Sequence, residues 1–265
     1  MHKTIFQEKS LILAKQKLAK DFFGLRLSSH KIAANAKPGQ FVEVRVKNSF
    51  LPLLRRPLGV HQVGRNNFEL LFQVVGPGTQ ILSQKNLGDY LDVIGPLGNG
   101  FDFQLPRRKV LVAGGMGVVP LLFLAQKLTE CQVSSAKYRT TVLIGAKNKA
   151  QIICARDFKK FGCEVLIATD DGSKGFKGKV TDLLKKFLRG TSNRLDGTIY
   201  SCGPKLMLKE VAKLSQDFNI PAQISLEEHM ACGIGACLGC AVETKQGFKR
   251  VCKEGPVFNA EEIIW

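Results

Sequence analysis

Four cysteines, Cys232, Cys237, Cys240 and Cys252, are the residues of this chain whose spacing most clearly implies chemistry. Three lie in Glu228-His229-Met230-Ala231-Cys232-Gly233-Ile234-Gly235-Ala236-Cys237-Leu238-Gly239-Cys240, and the fourth follows twelve positions later. Thiolates so close together can curl around one compact inorganic core. The glycines at 233, 235 and 239 would let backbone N–H groups approach its sulfides. Cys-x4-Cys-x2-Cys is the opening spacing of a 2Fe–2S loop. Structural zinc more often draws on two separated Cys-x-x-Cys pairs, whereas here 237–240 is the single such pair and sits among glycines. The spacing therefore favours iron–sulfur over zinc. Cys131, Cys154, Cys163 and Cys202 are scattered singletons, which argues against a disulfide framework.

Other candidates are weaker one by one. Gly114-Gly115-Met116-Gly117-Val118-Val119-Pro120 stands where a strand pattern passes into a helix pattern. Small residues there let a pyrophosphate reach the backbone and the helix N-terminus, although proline replaces the third glycine of the dinucleotide fingerprint. A tight connection is the competing reading. Arg56-Pro57-Leu58-Gly59 could clamp a phosphate or be surface arginine, and Gly76-Pro77-Gly78-Thr79 could meet a phosphate or be an ordinary turn. Cys202-Gly203-Pro204 ends a strand at the edge where open α/β sheets bind ligands, yet a free cysteine is more often a small buried apolar residue. Asp170-Asp171-Gly172-Ser173 is a turn or a ribose contact. The four histidines show no metal-ligand spacing, and no Ser/His/Asp order stands out.

The elements that would position these groups fall into three segments. Residues 1–106 read as short antiparallel strands and turns of a barrel or sandwich. Phe41–Lys47 has Val42, Val44 and Val46 alternating with charges, and Phe68–Val75 and Tyr90–Ile94 follow. From Arg107 to residue 222 the pattern changes. Apolar strands Lys109–Ala113, Thr141–Gly145, Cys163–Thr169 and Thr198–Cys202 are separated by helical stretches such as Pro120–Leu128, the signature of a parallel α/β sheet. Residues 223–265 form a small cysteine-bearing module. The expected class is α+β and multidomain.

The formal charge is +17, from 39 Lys and Arg against 22 Asp and Glu. These basic residues are spread along the chain without a block or aromatic interleaving, so nucleic-acid binding is not expected. Attraction of anionic dinucleotides or of an acidic partner surface is the physical benefit available. The lysine-studded first 27 residues lack the apolar stretch of a secretory signal, and the uncharged run Val110–Ala125 is too short and too glycine-rich to span a bilayer. A cytoplasmic protein without membrane attachment is expected.

Taken in order, Arg-Pro-x-x, Gly-Gly-x-Gly-x-x-Pro, Cys-Gly-Pro and the cysteine loop resemble the ferredoxin–NADP reductase superfamily. Gly95-Pro96-Leu97-Gly98-Asn99-Gly100-Phe101, Cys232–Cys237 and the ending Val251-Cys252-Lys253-Glu254-Gly255-Pro256-Val257-Phe258 are similar to the dihydroorotate dehydrogenase B electron-transfer family. The resemblance implies a β-barrel for FAD (1–106), an NAD-binding domain (107–222) and a 2Fe–2S module (223–265). It implies that Arg56, Pro57, Leu58 and Gly59 hold FAD, with Arg56 on its phosphates. Leu71, Phe72 and Gln73 would contact it along a strand, and Gly78 and Thr79 at the following helix. Gly114, Gly115, Gly117, Pro120, Cys202, Gly203 and Pro204 would position the nicotinamide, and Cys232, Cys237, Cys240 and Cys252 would ligate the cluster. Relatives usually carry serine where Gly59 stands, so a hydroxyl donor near the flavin is missing here.

The implied activity is NAD-linked oxidoreduction in pyrimidine biosynthesis. Electrons would pass from an FMN-containing catalytic subunit through the cluster and FAD to NAD, in a heterotetramer of two catalytic and two electron-transfer subunits. No protein acid or base is expected to be catalytic, since hydride transfer asks for the orientation of two rings. A superfamily member serving a hydrogenase or a ferredoxin-dependent oxidoreductase, and a zinc-binding module without redox activity, are the alternatives. Lys147 and Lys149 leave NAD against NADP open.

Overall fold

In the computed structural model, residues 4–104, 108–131, 140–191 and 196–265 are described. The expected change of character at 106/107 lies outside them. Strands β1 (Phe6–Ala19) and β2 (Phe22–Ser28) are followed by helix α1 (His30–Asn35) and by β3 (Phe41–Arg45), β4 (Arg56–Val63) and β5 (Asn67–Gln73). Helix α2 (Pro77–Gln84) and strand β6 (Tyr90–Leu97) complete a closed barrel of order β1-β2-β5-β4-β3-β6. The alternation expected for Val42 and Val44 points both side chains inward. They meet Ile12, Leu25, Leu27, Val60, Phe68, Leu70, Leu91 and Val93, all essentially without solvent contact. Closure removes the exposed strand edges that an open sheet of this size would carry.

The second layer system begins with β7 (Arg108–Gly114), a 3₁₀ turn (Gly115–Gly117) and α3 (Val118–Glu130). It continues through β8 (Thr141–Ala146), α4 (Ala155–Lys160), β9 (Glu164–Thr169), β10 (Phe176–Lys177), α5 (Val180–Arg189), β11 (Gly197–Cys202), α6 (Lys205–Asp217) and β12 (Ala222–Ser225). The chain then forms the cysteine loop, a hairpin of β13 (Ala241–Thr244) and β14 (Gly247–Arg250), and β15 (Val257–Asn259). The sheet runs β10-β9-β8-β7-β11-β12-β15, parallel except for β15 at its edge. Helices on both faces explain why Val110, Leu111 and Val112 form a continuous apolar run rather than an alternating one. The cysteine loop and its hairpin thus emerge between two adjacent strands of this sheet.

Helix α3 ties the two bodies together. Its apolar face covers β7, Phe123 reaches the barrel core, and Gln126 both donates to the Val63 carbonyl (2.7 Å) and accepts from the Val63 N–H (3.2 Å). Burying a Phe side chain contributes about 2–3 kcal/mol, so this contact fixes the relative placement of barrel and sheet. Among the described residues no helix is long and apolar enough to cross a membrane.

Candidate functional site

A cavity of about 660 Å³ opens where the barrel meets the carboxyl ends of the parallel strands. It brings together Arg56, Pro57, Leu58 and Gly59 of β4, Leu71, Phe72 and Gln73 of β5, Thr79 of α2, Pro120 of α3 and Cys202 at the end of β11. Gly78, Gly114, Gly115, Gly117, Gly203 and Pro204 are not among its lining residues. Gly78, Gly114, Gly117 and Gly203 instead allow close packing behind it.

Arg56 illustrates this division. One of its amino groups donates to the carbonyls of Leu54 (2.7 Å) and Arg55 (3.2 Å), which aims the guanidinium across the first turn of α2. A Cβ on Gly78 would lie 2.1 Å from Arg56 Nε, so glycine is needed for the arginine to lie there. The Thr79 hydroxyl accepts from the N–H groups of Val75 (3.0 Å) and Gly76 (3.2 Å) and donates to the Gly76 carbonyl (3.0 Å), fixing the helix start. An arginine over a helix N-terminus makes an anion cradle, and the apolar Leu58, Leu71 and Phe72 beside it suit an aromatic ring system. These residues fit a flavin dinucleotide.

The glycine turn after β7 is close-packed for a different reason. A Cβ on Gly117 would fall 1.8 Å from the Cys202 carbonyl oxygen, and one on Gly114 would fall 2.6 Å from Met207 Sδ. Gly203, at φ +156°, closes against the Gly114 backbone. Gly115 alone in this turn has open space where a side chain would point. Cys202 is buried, and its thiol is pushed well above the ordinary range, first by burial and then by the Glu227 carboxyl, with a Ser225 contact opposing. It is a neutral thiol, unsuited to nucleophilic attack. Glu227 sits in the concave mouth, where water reaches it but enclosing protein raises its carboxyl as well.

The cysteine loop is built from N–H groups aimed at sulfur. Burial alone would favour the neutral Cys232 thiol. The N–H groups of Cys237 and Ile234, the Cys237 thiol and the Ala236 N–H (3.3 Å) outweigh it and bring the pKa down to about 6. The Cys252 N–H points at Cys240 Sγ (3.4 Å). Cys252 itself is raised to about 12 by burial, by the Cys240 thiol and by the charge on Cys240 and Cys232, with the Gly235 N–H opposing. The four sulfurs are therefore associated as two pairs, Cys232 with Cys237 and Cys240 with Cys252. Among the described residues no three His, Cys, Asp or Glu side chains close on one point as a single ion would require. Four thiols gathered in one loop are donors that fit a 2Fe–2S core. Cys240 and Cys252 are buried while Cys237 is exposed, beside exposed Ile234 and Leu238.

Between the two sites lies Glu43 of β3, 1% exposed, with no hydrogen-bond partner on either carboxylate oxygen. It pairs in register with Pro57, and a Cβ on Gly233 would fall 2.4 Å from its Oε1, so it abuts both the Arg56 strand and the cysteine loop. Burial lifts its pKa to about 7 against the opposing charges of Arg55 and Arg56, with Cys232 adding to the rise. Arg55 is already committed to Asp92, at 2.7 Å to Oδ2 and 2.8 Å to the carbonyl.

Sequence reasoning missed Met116, Val119, Lys205 and the run Ser225, Leu226, Glu227, Glu228, His229 and Met230, all of which line the cavity. The signal available for that run was its place directly after a strand, at the carboxyl edge where such sheets bind ligands.

Barrel, parallel sheet and interposed cavity define the ferredoxin–NADP reductase class of flavin- and nicotinamide-linked oxidoreductases, here with an iron–sulfur appendage. A ferredoxin NADP+ reductase from Neisseria gonorrhoeae with bound FAD and NADP shares this fold at TM-score 0.64 and 17% identity, over 82% of this chain and 92% of that one. A chain from a structure of an NADH-dependent reduced ferredoxin-NADP oxidoreductase, described for flavin-based electron bifurcation, superposes at TM-score 0.85 with 33% identity, over 97% and 90%. The oxidoreductase NAD-binding domain family matches residues 111–213, and the iron-sulfur cluster binding domain of dihydroorotate dehydrogenase B matches residues 227–264. The electron transfer subunit of dihydroorotate dehydrogenase B (NAD(+)) from Desulforamulus reducens is 44% identical over 96% of this chain and 97% of its own, and that from a Geobacillus species 41% identical over 97% and 98%. The chain belongs to the family of dihydroorotate dehydrogenase B electron transfer subunits.

Proposed function

We propose that the cavity and the cysteine loop are the two ends of one electron path, and that the chain works as the NAD-linked electron-transfer subunit of a dihydroorotate dehydrogenase. The observation that carries this reading is one shared cavity, lined by the Arg56 clamp, the carboxyl end of β11 and the segment leading into Cys232. When bound, FAD exchanges hydride with a nicotinamide and single electrons with a 2Fe–2S cluster, which is the chemistry these groups supply. The residues do the rest. Arg56 and the start of α2 would hold the flavin phosphates, while Pro57 to Gly59 and Leu71 to Gln73 would pack its ring. Gly114, Gly115, Gly117, Pro120, Cys202, Gly203 and Pro204 would bring a nicotinamide against that ring and keep water out.

Cys232, Cys237, Cys240 and Cys252 would ligate the cluster, and deprotonation of the raised Cys252 thiol would make its uptake pH-dependent. A division of labour among residues 1–106, 107–222 and 223–265 follows from this assignment. The partner is the catalytic dihydroorotate dehydrogenase subunit, for which an FMN centre and a two-plus-two heterotetramer are proposed. Exposed Cys237, Ile234 and Leu238, with Phe50, Leu51 and Leu53 of the β3–β4 connection also exposed, offer apolar surface for it to cover. A role in pyrimidine synthesis and the use of reduced cysteines support a cytoplasmic setting. Co-expression with a candidate catalytic subunit, followed by iron, FAD and dihydroorotate:NAD assays, tests the reading. It predicts dihydroorotate-dependent NAD reduction by the complex alone. A catalytic subunit that reduces NAD unaided would refute it.

A further inference from the structure

We propose that Arg250 is a positioning residue of the cysteine loop, holding the chain at Gly235 over Cys252 and setting, with Glu254, the charge beside Cys240 and Cys252. The inference rests on the four cysteines being the cluster ligands. Arg250 ends β14, where it pairs in register with Ala241. The next residue, Val251, donates its N–H to the Cys240 carbonyl (3.0 Å), so the backbone already places Cys240 beside Cys252. What the backbone ladder does not hold is the far side of the loop, between Cys232 and Cys237.

The Arg250 side chain crosses to that far side. Its Nη1 donates to the Gly235 carbonyl at 2.7 Å, midway along the loop. Gly235 packs against Lys253, the residue after Cys252, where a Cβ would fall 2.7 Å from Lys253 Cδ. One guanidinium thereby links the segment carrying the first two cysteines to the turn carrying the last. Glu254 holds the guanidinium in place with two oxygens, accepting from Nε (3.0 Å) and Nη2 (2.5 Å), and also accepts the Arg250 N–H (2.8 Å). The N–H groups of Lys253, Glu254 and Gly255 all converge on the Arg250 carbonyl at 2.9–3.2 Å. Such a fork uses the planar geometry of arginine, which a lysine ammonium does not reproduce.

The charge is placed as well as the geometry. Arg250 stands two positions before Cys252 and next to Val251, whose N–H is bonded to the Cys240 carbonyl, so its charge lies in the neighbourhood of the buried pair, and the carboxylate of Glu254 offsets it. Removing either partner leaves the other uncompensated, so the two substitutions have opposite electrostatic signs. A role confined to fold stability has no such signature.

The test uses the full chain reconstituted anaerobically with FAD and a 2Fe–2S cluster, as wild type, Arg250→Lys, Arg250→Gln, Glu254→Gln and the Arg250→Gln/Glu254→Gln double variant. Cluster loss to EDTA and the cluster midpoint potential are measured, with FAD content as the control for folding. Arg250→Gln should lose the cluster about tenfold faster, as expected for a lost charge-assisted hydrogen bond, and lower its potential. Glu254→Gln should raise the potential, and the double variant should return it toward wild type. Arg250→Lys should keep the potential near wild type yet lose the cluster faster. Should Arg250→Gln fail to fold, the lysine and Glu254 variants carry the test. Equal loss rates across the loaded proteins, or potential shifts of one sign in both single variants, overturn the role of Arg250. Wild-type protein that takes up no iron instead removes the ligand assignment, and this role with it.

Discussion

On the proposed assignment, the flavin cavity and the cysteine loop would solve the same problem, holding a redox group, by opposite means. The cavity is shaped by carbon and by close backbone approach. Gly78 makes room for Arg56, Gly117 for Cys202, and buried Phe72 and Leu71 complete its wall. The loop is held by polar contacts, with N–H groups on sulfur and the Arg250 crosslink. A preformed cavity should tolerate loss of its ligand, whereas a loop organised around thiols should depend on what binds there.

Breaking one side without the other is the sharpest check of that contrast. Cys237→Ser should abolish cluster absorbance altogether while leaving FAD bound and NADH-driven reduction of an artificial two-electron acceptor intact; full cluster content in the variant would contradict it. Gly117→Ala should strike the packing of the cavity side instead and destabilise the fold, since its methyl group meets a backbone carbonyl that cannot rotate away. A cost on the order of 4 kcal/mol or more is expected from urea unfolding. A midpoint unchanged from wild type would show that the turn can open.

Glu43, between the two regions, gives a pH-dependent test. Its carboxyl is raised from the ordinary 4.5 to about 7 by burial, so the folded chain holds a proton that the unfolded chain has released. Stability is then fully present below pH 4.5 and is lost as pH rises through 7. Glu43→Gln should therefore stabilise the chain by up to about 3 kcal/mol at pH 8 and by less than about 1 kcal/mol at pH 5. An equal gain at both pH values would mean that packing, not charge, is responsible. Arg56→Ala should weaken FAD retention by about 1.5–3 kcal/mol, roughly ten- to a hundredfold, read by equilibrium dialysis. The smallest effect is expected for Gly59→Ser. Its Cβ would sit 3.4 Å from Val119 Cγ1, so stability should change by no more than about 0.5 kcal/mol while the flavin spectrum shifts.

The two regions also differ in how far they could be read in the sequence. The cysteine loop was legible because ligand spacing and glycine content lie within one contiguous segment. The parallel strands were legible too, since Val110–Val112 and Val142–Ile144 are buried on both faces and leave unbroken apolar runs. Strand β1 was not, because its inward positions include the polar Ser10 and its outward ones include the apolar Leu13 and Leu18 among lysines and glutamines, which blurs the alternation. Helix α2 reads locally as a Gly-Pro-Gly turn, and the reason for Gly78 is an arginine 22 positions away. Likewise Ser225–Met230 join the flavin cavity only because β12 lies beside β11, a pairing that no local pattern encodes.

Anaerobic titration of the reconstituted chain with NADH, followed by visible absorbance and electron paramagnetic resonance, tests the shared electron path most directly. The predicted result is joint bleaching of flavin and cluster bands with a rhombic 2Fe–2S signal that is absent from Cys237→Ser. Flavin bleaching with no cluster signal in iron-loaded wild-type protein would mean that the cavity and the loop are not connected.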